Sequence, residues 1–227
     1  MKKSLFNNKQ QQLIIGLTGG IGSGKTAASN LFLKQGVNVV DTDVLARQAL
    51  QVGSPLLIEV FNHLGQQLKL TDGSLDRAAL RAVIFNDPSA KTWLENLIHP
   101  WVKKETLKAL AEANSPYIIL SSPLLIESGQ LALIDRLLVV DVPEATQVER
   151  TCIRDGNATD LVKKIIQQQI NRQERLSLAD DIIDNSGSLN ELEQQVDALH
   201  KQYLILALAK NDFNKKNHTF QSNPIEA

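Results

Sequence analysis

An apolar run at residues 13–17 leads into residues 19–26, which read GGIGSGKT and satisfy the pattern G-x-x-x-x-G-K-[ST]. Glycines let successive backbone N–H groups turn inward, and the helix-forming residues 27–34 follow. A strand, a glycine-rich loop and a helix N-terminus in this order predict a phosphate-binding site. The alternative is a glycine-rich turn that binds nothing, but the strand before and the helix after are the context that the pattern requires.

The polar residues of this loop predict a nucleoside triphosphate as ligand. Lys25 supplies a point charge to the β- and γ-phosphates, and the Thr26 hydroxyl is the expected ligand of a Mg²⁺ ion that bridges them. The residues expected to bind the nucleoside triphosphate are Gly20, Gly22, Ser23, Gly24, Lys25, Thr26 and Ala27.

Length and composition limit the architecture and the partners. A chain of 227 residues with 43% hydrophobic content suffices for one substantial core with an inserted subdomain. The 24 basic and 25 acidic residues balance, and no run of like charge suggests a nucleic-acid arm or a membrane patch. A single cysteine, Cys152, excludes an internal disulfide. Residues 7–12 are polar where a signal peptide would be apolar, so we expect a cytoplasmic protein.

Five short runs rich in β-branched residues alternate with helical patterns. They are residues 13–18, 37–41, 117–121, 136–142 and 181–185. Strands that alternate with helices indicate an α/β fold with a parallel sheet, and mostly continuous apolar runs are typical of a sheet covered by helices on both faces. We therefore predict a five-stranded parallel sheet flanked by helices.

Two long gaps between these runs predict additional helical parts. About 75 residues separate the second run from the third, far more than an ordinary crossover needs. Helical patterns fill this gap and predict a subdomain at residues 44–113. The second gap contains a mostly helical, arginine-rich region at about 145–178. We place a single domain at residues 13–210 and tails at 1–12 and 211–227.

The end of the second strand carries two carboxylates, Asp41 and Asp43. Ligands of open α/β sheets lie at the carboxyl ends of the strands. A carboxylate there accepts the proton of an attacking hydroxyl during phosphoryl transfer, or holds a water on Mg²⁺. The alternative for Asp43 is an N-cap of a helix that begins near Val44. For Asp41 we favour a structural role.

A family resemblance emerges from these and later segments. The loop, followed by the segment VDTDVLAR at residues 40–47, looks like dephospho-coenzyme A kinase. The likeness continues through residues 72–80, 98–100, 123–127 and 179–185, and covers roughly residues 13–208. It implies a P-loop kinase fold, a helical substrate subdomain and a mobile helical lid. It also implies transfer of the ATP γ-phosphate to the 3′-hydroxyl of dephospho-coenzyme A, the last step of coenzyme A synthesis.

The resemblance also implies roles for particular residues. Asp43 is the expected general base, and Lys25 and Thr26 hold phosphate and metal. From the lid, Arg154, with Arg150 as second candidate, meets charge on the transferring group. Candidates for the substrate pyrophosphate are Arg47, Arg77, Arg81 and His99. The alternative for each arginine is a solvated helix face, and for His99, which Pro100 pushes toward extended backbone, a buried structural histidine.

One position departs from the family pattern. Ser121 stands where many members carry an acidic residue two positions before Pro123, so a carboxylate near the metal is missing. Asp43 then leads the acidic candidates near Mg²⁺, with Glu127 second.

Other functions remain open at this point. They are a kinase for a nucleoside, nucleotide or sugar, a regulatory GTPase, and a nucleic-acid-dependent ATPase. A regulatory GTPase would carry an N-K-x-D motif near the fifth strand, which this chain lacks. A nucleic-acid-dependent ATPase would need a basic surface with aromatic residues, which this chain also lacks. We expect no nucleic-acid or membrane partner and a monomer or weak homo-oligomer.

Overall fold

A five-stranded sheet organises the larger part of the molecule in a computed structural model that describes residues 12–156 and 158–221, with side chains to residue 213. The strands are Leu13–Thr18 (β1), Asn38–Asp41 (β2), Tyr117–Ser121 (β3), Arg136–Asp141 (β4) and Asp181–Asp184 (β5). Their spatial order is β2-β3-β1-β4-β5. Strand β1 pairs in parallel with β3 and β4, and β4 with β5. The predicted parallel α/β fold is confirmed.

Nine α-helices are assigned in the described residues. They are Lys25–Lys34 (α1), Thr42–Ala49 (α2), Pro55–Leu64 (α3), Arg77–Asn86 (α4), Pro88–Glu112 (α5), Glu144–Asp155 (α6), Thr159–Gln167 (α7), Arg172–Ser177 (α8) and Leu189–Gln221 (α9). None of the helices in this part of the chain is both long and apolar enough to cross a membrane.

The chain forms two compact units, of which the first combines the residues before 41 with those after 110. Its core lies between one sheet face and helices α1 and α9, where Phe32, Val196 and Tyr203 pack against Ile15 and Leu138. On the other face Gly16 is in close contact with Ile134 and Leu125, because a Cβ there would lie 2.6 and 2.9 Å from their side chains. Helices and loops therefore cover both faces of the sheet.

The second unit, Asp41–Leu110, has its own apolar core. Leu57, Val60 and Phe61 of α3 pack with Leu80 of α4 and Leu94 of α5. Local caps fix where its helices begin. The Asp87 carboxylate accepts hydrogen bonds from the backbone N–H groups of residues 89 and 90, at 2.8 and 3.2 Å, just before α5.

Two features of the helices differ from the sequence-based expectations. Helix α5 runs through Pro100, so His99 is helical rather than extended, because packing of the whole helix outweighs the local preference of a residue before proline. Helix α9 continues to Gln221, so the tail predicted from residue 211 does not begin there. Extending an existing helix needs no new nucleation, which the polar composition does not reveal. Residues 1–11 and 222–227 of the two predicted tails lie outside the described residues.

A buried tyrosine and a histidine predict how stability responds to acid. The Tyr117 hydroxyl lies 2.7 Å from His200 Nδ1, and burial raises the pKa of Tyr117, which keeps the phenol protonated. Burial lowers the pKa of His200 below its usual 6.5, against a smaller opposing effect of Asp197. The neutral imidazole is therefore favoured in the folded state, and stability is lost as pH falls below about 6.5.

We expect the unfolding free energy of the wild type to fall more steeply between pH 7 and pH 5 than that of a His200→Gln variant, because glutamine does not titrate. Urea unfolding at each pH measures this difference. Parallel pH profiles for the two proteins would contradict the assigned role of His200.

Candidate active site

The loop between β1 and α1 adopts a conformation that only glycine accommodates at two positions. Gly22 and Gly24 have φ angles of 73° and 91°, in the left-handed region, and Gly24 is the N-cap of α1. A Cβ at Gly22 would lie 2.6 Å from the Gln147 carbonyl oxygen, and one at Gly24 would collide with the Asn185 amide. The glycines thus allow both the turn and the close approach of α6 and of the segment after β5.

Side-chain amides from distant segments fasten this loop. Asn185 follows β5, is buried, and donates from Nδ2 to the Ser23 carbonyl at 2.7 Å. Gln169 lies between α7 and α8, and its Oε1 accepts from the Ile21 N–H at 3.0 Å. Within the loop the Ser23 N–H donates to the Gly20 carbonyl at 3.0 Å. The loop is therefore held in one shape by parts of the chain that lie far apart in sequence.

The polar side chains at the start of α1 are arranged for an anionic ligand. Lys25 Nζ donates to Ser121 Oγ at the end of β3, at 3.0 Å, so this serine orients the ammonium group. Thr26 is exposed in the first helical turn. The Ala27 N–H donates back to the Gly24 carbonyl at 2.9 Å, which closes the first turn of the helix. The charge of Lys25 therefore lies at the N-terminus of α1, which is the positive end of the helix dipole.

The arginines of α6 and α8 have different surroundings. Arg154 is exposed and donates twice to the neighbouring Asp155, at 2.7 Å each, while Arg150 is half-buried. Arg172 makes a bidentate pair with Asp141 at the end of β4, with Nη2 to Oδ2 at 2.6 Å. This hydrogen-bonded pair raises the pKa of Arg172. The arginine that lies against the loop is a different one.

Arg175 of α8 is 5% exposed and lies beside Gly20, where a Cβ would be 3.1 Å from Arg175 Nη1. Burial lowers the pKa of Arg175, an effect that the carboxylates of Glu127 and Asp141 partly offset. Arg175 belongs to the arginine-rich region at about 145–178, and helical periodicity alone does not reveal which arginine of that region is buried.

The two carboxylates after β2 have distinct structural roles. Asp41 is the N-cap of α2, and its Oδ1 accepts from the N–H groups of Asp43 and Val44 at 2.9 and 3.2 Å. The structural role favoured for Asp41 is confirmed. The alternative of Asp43 as N-cap is wrong, because the helix begins two residues before Val44 and leaves the exposed Asp43 in its first turn.

The other predicted substrate residues are exposed in the second unit. Arg77 and Arg81 lie one turn apart on α4, and Arg77 Nη2 donates to the Arg47 carbonyl oxygen at 3.2 Å. Arg47 lies in the last turn of α2, so the three arginines belong to neighbouring helical turns. His99 is exposed on α5, so the alternative of a buried structural histidine is wrong.

Two residues, Glu127 and Thr26, bear on a metal site. Glu127, the second acidic candidate, accepts through Oε1 from the Ile170 N–H at 3.0 Å and thus holds the segment before α8. Among the side chains described, those of residues 12–156 and 158–213, no three His, Cys, Asp or Glu groups cluster as metal ligands. A single hydroxyl such as that of Thr26 still fits Mg²⁺, which keeps most of its waters and binds chiefly through substrate phosphates.

The topology and the loop together define the class of protein. A parallel sheet whose central strand runs through G-x-x-x-x-G-K-T into a helix, with further helical segments after β2 and β4, is the architecture of a P-loop kinase. The sequence profile of the dephospho-CoA kinase family (CoaE) matches residues 13–191. The chain belongs to this family, as the resemblance predicted.

Individual relatives agree with this assignment. A dephospho-CoA kinase of Aggregatibacter actinomycetemcomitans is 49% identical over 203 residues, which are 88% of this chain and 98% of the relative. One from Sodalis glossinidius is 45% identical over 91% of this chain and 99% of the relative.

Solved structures share the fold. The TT1252 protein of Thermus thermophilus superimposes with a TM-score of 0.71 at 31% identity and covers 85% of this chain and 98% of its own. A dephospho-CoA kinase from Campylobacter jejuni gives 0.61 with the same coverage, and at 22% identity it supports the fold alone.

Proposed function

We propose that this protein transfers the γ-phosphate of ATP to the 3′-hydroxyl of dephospho-coenzyme A, which yields coenzyme A and ADP and completes coenzyme A synthesis. The observation that carries this conclusion is the fastened GGIGSGKT loop in a chain whose residues 13–191 match the dephospho-CoA kinase family. The loop supports the donor, a nucleoside triphosphate, and the family supports the acceptor.

On the donor side, the loop residues bind the phosphates of ATP. The backbone of Gly20, Gly22, Ser23 and Gly24 surrounds them, and the first turn of α1, including Ala27, points its positive end at the same charge. Lys25 neutralises charge on the β- and γ-phosphates, and Thr26 holds Mg²⁺. A Mg²⁺ ion held there by Thr26 would offset the negative charge of the phosphates.

On the acceptor side, Asp43 takes the proton of the attacking hydroxyl. Its exposed position in the first turn of α2, with Asp41 as the cap, supports a chemical rather than a capping role. Asp41 fixes the backbone at Asp43 through its hydrogen bond to the Asp43 N–H.

The lid arginines complete the site. Arg154, or Arg150 one turn before it on the same helix, meets the charge of the transferring group when the lid closes and excludes water. Arg154 is now paired with its exposed neighbour Asp155. Solvent screens this ion pair, so Arg154 can leave Asp155 for the phosphate at little cost in free energy.

Arg47, Arg77, Arg81 and His99 are proposed to bind the pyrophosphate of the substrate. We expect Arg77→Ala to raise the KM for dephospho-coenzyme A about 10- to 100-fold and to leave the KM for ATP unchanged, because a charge-assisted hydrogen bond to phosphate is worth about 1.5–3 kcal/mol. Steady-state kinetics with each substrate varied in turn measure this. The control is Lys104→Ala, which removes an exposed positive charge from α5 of the same unit. Equal effects of both variants would contradict a specific role for Arg77.

Product analysis tests the proposed reaction itself. With ATP, Mg²⁺ and dephospho-coenzyme A, we expect ADP and coenzyme A in equal amounts, with the new phosphate on the 3′-hydroxyl by phosphorus NMR. Formation of ADP without a phosphorylated acceptor would contradict the proposal.

We also propose a cytoplasmic location, because the reaction consumes ATP, and a monomer or weak homo-oligomer. Light scattering of the purified protein over a range of concentrations measures the oligomeric state.

A further inference from the structure

The segment between α7 and α8, residues 168–171, makes hydrogen bonds to its surroundings at three consecutive positions. We refer to it as the α7–α8 linker. The Gln169 side chain binds the loop, the Ile170 backbone is bound on both sides, and Asn171 caps α8 by accepting the Glu174 N–H at 2.8 Å. A connection with this many specific hydrogen bonds has a defined conformation relative to the loop.

The side chain of Gln169 connects this linker to the phosphate-binding loop. Its partner, the Ile21 N–H, is a donor, so the carboxamide oxygen rather than the nitrogen must face the loop. Gly20 and Gly22 flank Ile21. Glycine neighbours give the intervening peptide groups a wide choice of orientations, and one acceptor in a fixed place selects a single orientation.

Neighbouring groups hold Gln169 in place. The Ile170 N–H donates to Glu127 Oε1 at 3.0 Å, and the Ile170 carbonyl accepts from Arg175 Nη2 at 2.7 Å. Arg175 is buried against Gly20, so the same guanidinium group touches both the linker and the loop. The acceptor that Gln169 presents to the loop is therefore preorganised.

We propose that Gln169 is a positioning residue for ATP: it fixes the peptide between Gly20 and Ile21 so that the remaining loop amides are already oriented for phosphate before ATP binds. The inference rests on the proposed role of the loop in binding ATP. Preorganisation of a binding site increases affinity because less ordering remains to be done on binding.

The test compares Gln169→Leu and Gln169→Glu with the wild type in calorimetric ATP binding and in steady-state kinetics. Leucine removes the acceptor, and we expect about 3- to 10-fold weaker ATP binding, the range for one hydrogen bond, with no change in the KM for dephospho-coenzyme A. Glutamate keeps the acceptor but places a negative charge beside the triphosphate site. We expect it to weaken ATP binding more than leucine does, with a dependence on salt concentration, while the thermal midpoint without ATP is kept.

Gln173→Leu and Gln173→Glu are matched controls, because Gln173 is an exposed glutamine on α8 in the same region. We expect both to bind ATP like the wild type. Unchanged ATP binding in Gln169→Leu would overturn the inference, and so would equal changes in both KM values. Tighter ATP binding in Gln169→Leu would also overturn it, since Gln169 would then compete with phosphate for the Ile21 N–H. Absence of ATP binding by the wild type would instead refute the proposed function of the loop.

Discussion

Replacing Asp43 by asparagine is expected to lower kcat about 10²- to 10⁴-fold, the contribution typical of a positioned general base. Asparagine has nearly the same shape and still accepts hydrogen bonds, but it does not take a proton at neutral pH. Binding of both substrates should persist, so the loss appears in kcat rather than in KM. Rapid-quench measurement of phosphoryl transfer in a single turnover would assign the loss to the chemical step.

The neighbouring carboxylate supplies the control for this experiment. Asp41 lies two residues earlier and caps α2 through hydrogen bonds to the N–H groups of Asp43 and Val44. Asparagine is as good an N-cap as aspartate, so Asp41→Asn removes the same charge and keeps the cap. We expect activity within a few-fold of the wild type. If Asp43→Asn keeps full activity, or if both variants lose activity equally, Asp43 is not the base.

Replacing Gly24 by alanine is expected to abolish detectable ATP binding. The backbone at Gly24 has φ 91°, which costs an L-residue about 1–2 kcal/mol. In addition, a Cβ would collide with the Asn185 amide, which donates to the Ser23 carbonyl at 2.7 Å. Relief of the clash moves either Asn185 or the loop, and both changes disturb the peptide groups that are proposed to bind phosphate. Fluorescence titration with an ATP analogue measures the loss.

Gly36→Ala is the control that separates the effect of the clash with Asn185 from the effect of backbone strain. Gly36 follows α1 with φ 80°, and apart from the glycine and its two chain neighbours no atom of the described residues lies within 4 Å of the place a Cβ would occupy. This variant should lose about 1 kcal/mol of stability and bind ATP normally. Normal ATP binding by Gly24→Ala would contradict the close packing of Asn185 against the loop.

The fold follows from the sequence to the extent that local signals determine it. Runs rich in β-branched residues identified all five strands to within a residue, and most of these runs are continuously apolar because a strand buried on both faces tolerates few polar side chains. The region around Pro100 was not predictable from local preference, because a helix of 25 residues is stabilised by packing along its length. The end of α9 was missed for a related reason, since its last turns carry little apolar periodicity.

The candidate site likewise contains residues that the sequence predicts and residues that only the structure reveals. The loop and its Lys25 were predictable because the spacing of glycine, lysine and threonine is itself typical of a phosphate-binding loop. The groups that fasten the loop, Gln169, Arg175 and Asn185, come from segments more than 120 residues later. Asn185 lies in a segment that carries the family resemblance and Gln169 lies in the arginine-rich region at about 145–178, but no local pattern indicates which backbone group each one binds. Contacts of this kind depend on tertiary structure.

The most direct test of the central claim measures kcat/KM for ATP-dependent phosphorylation of dephospho-coenzyme A, adenosine and a nucleoside monophosphate under identical conditions with Mg²⁺. The account predicts efficient turnover of dephospho-coenzyme A and values lower by at least about 10²-fold for the other two, because they lack the pyrophosphate-linked pantetheine portion that supplies binding energy. A preference for adenosine or for the nucleoside monophosphate would contradict the assigned acceptor and leave only a P-loop kinase of another specificity.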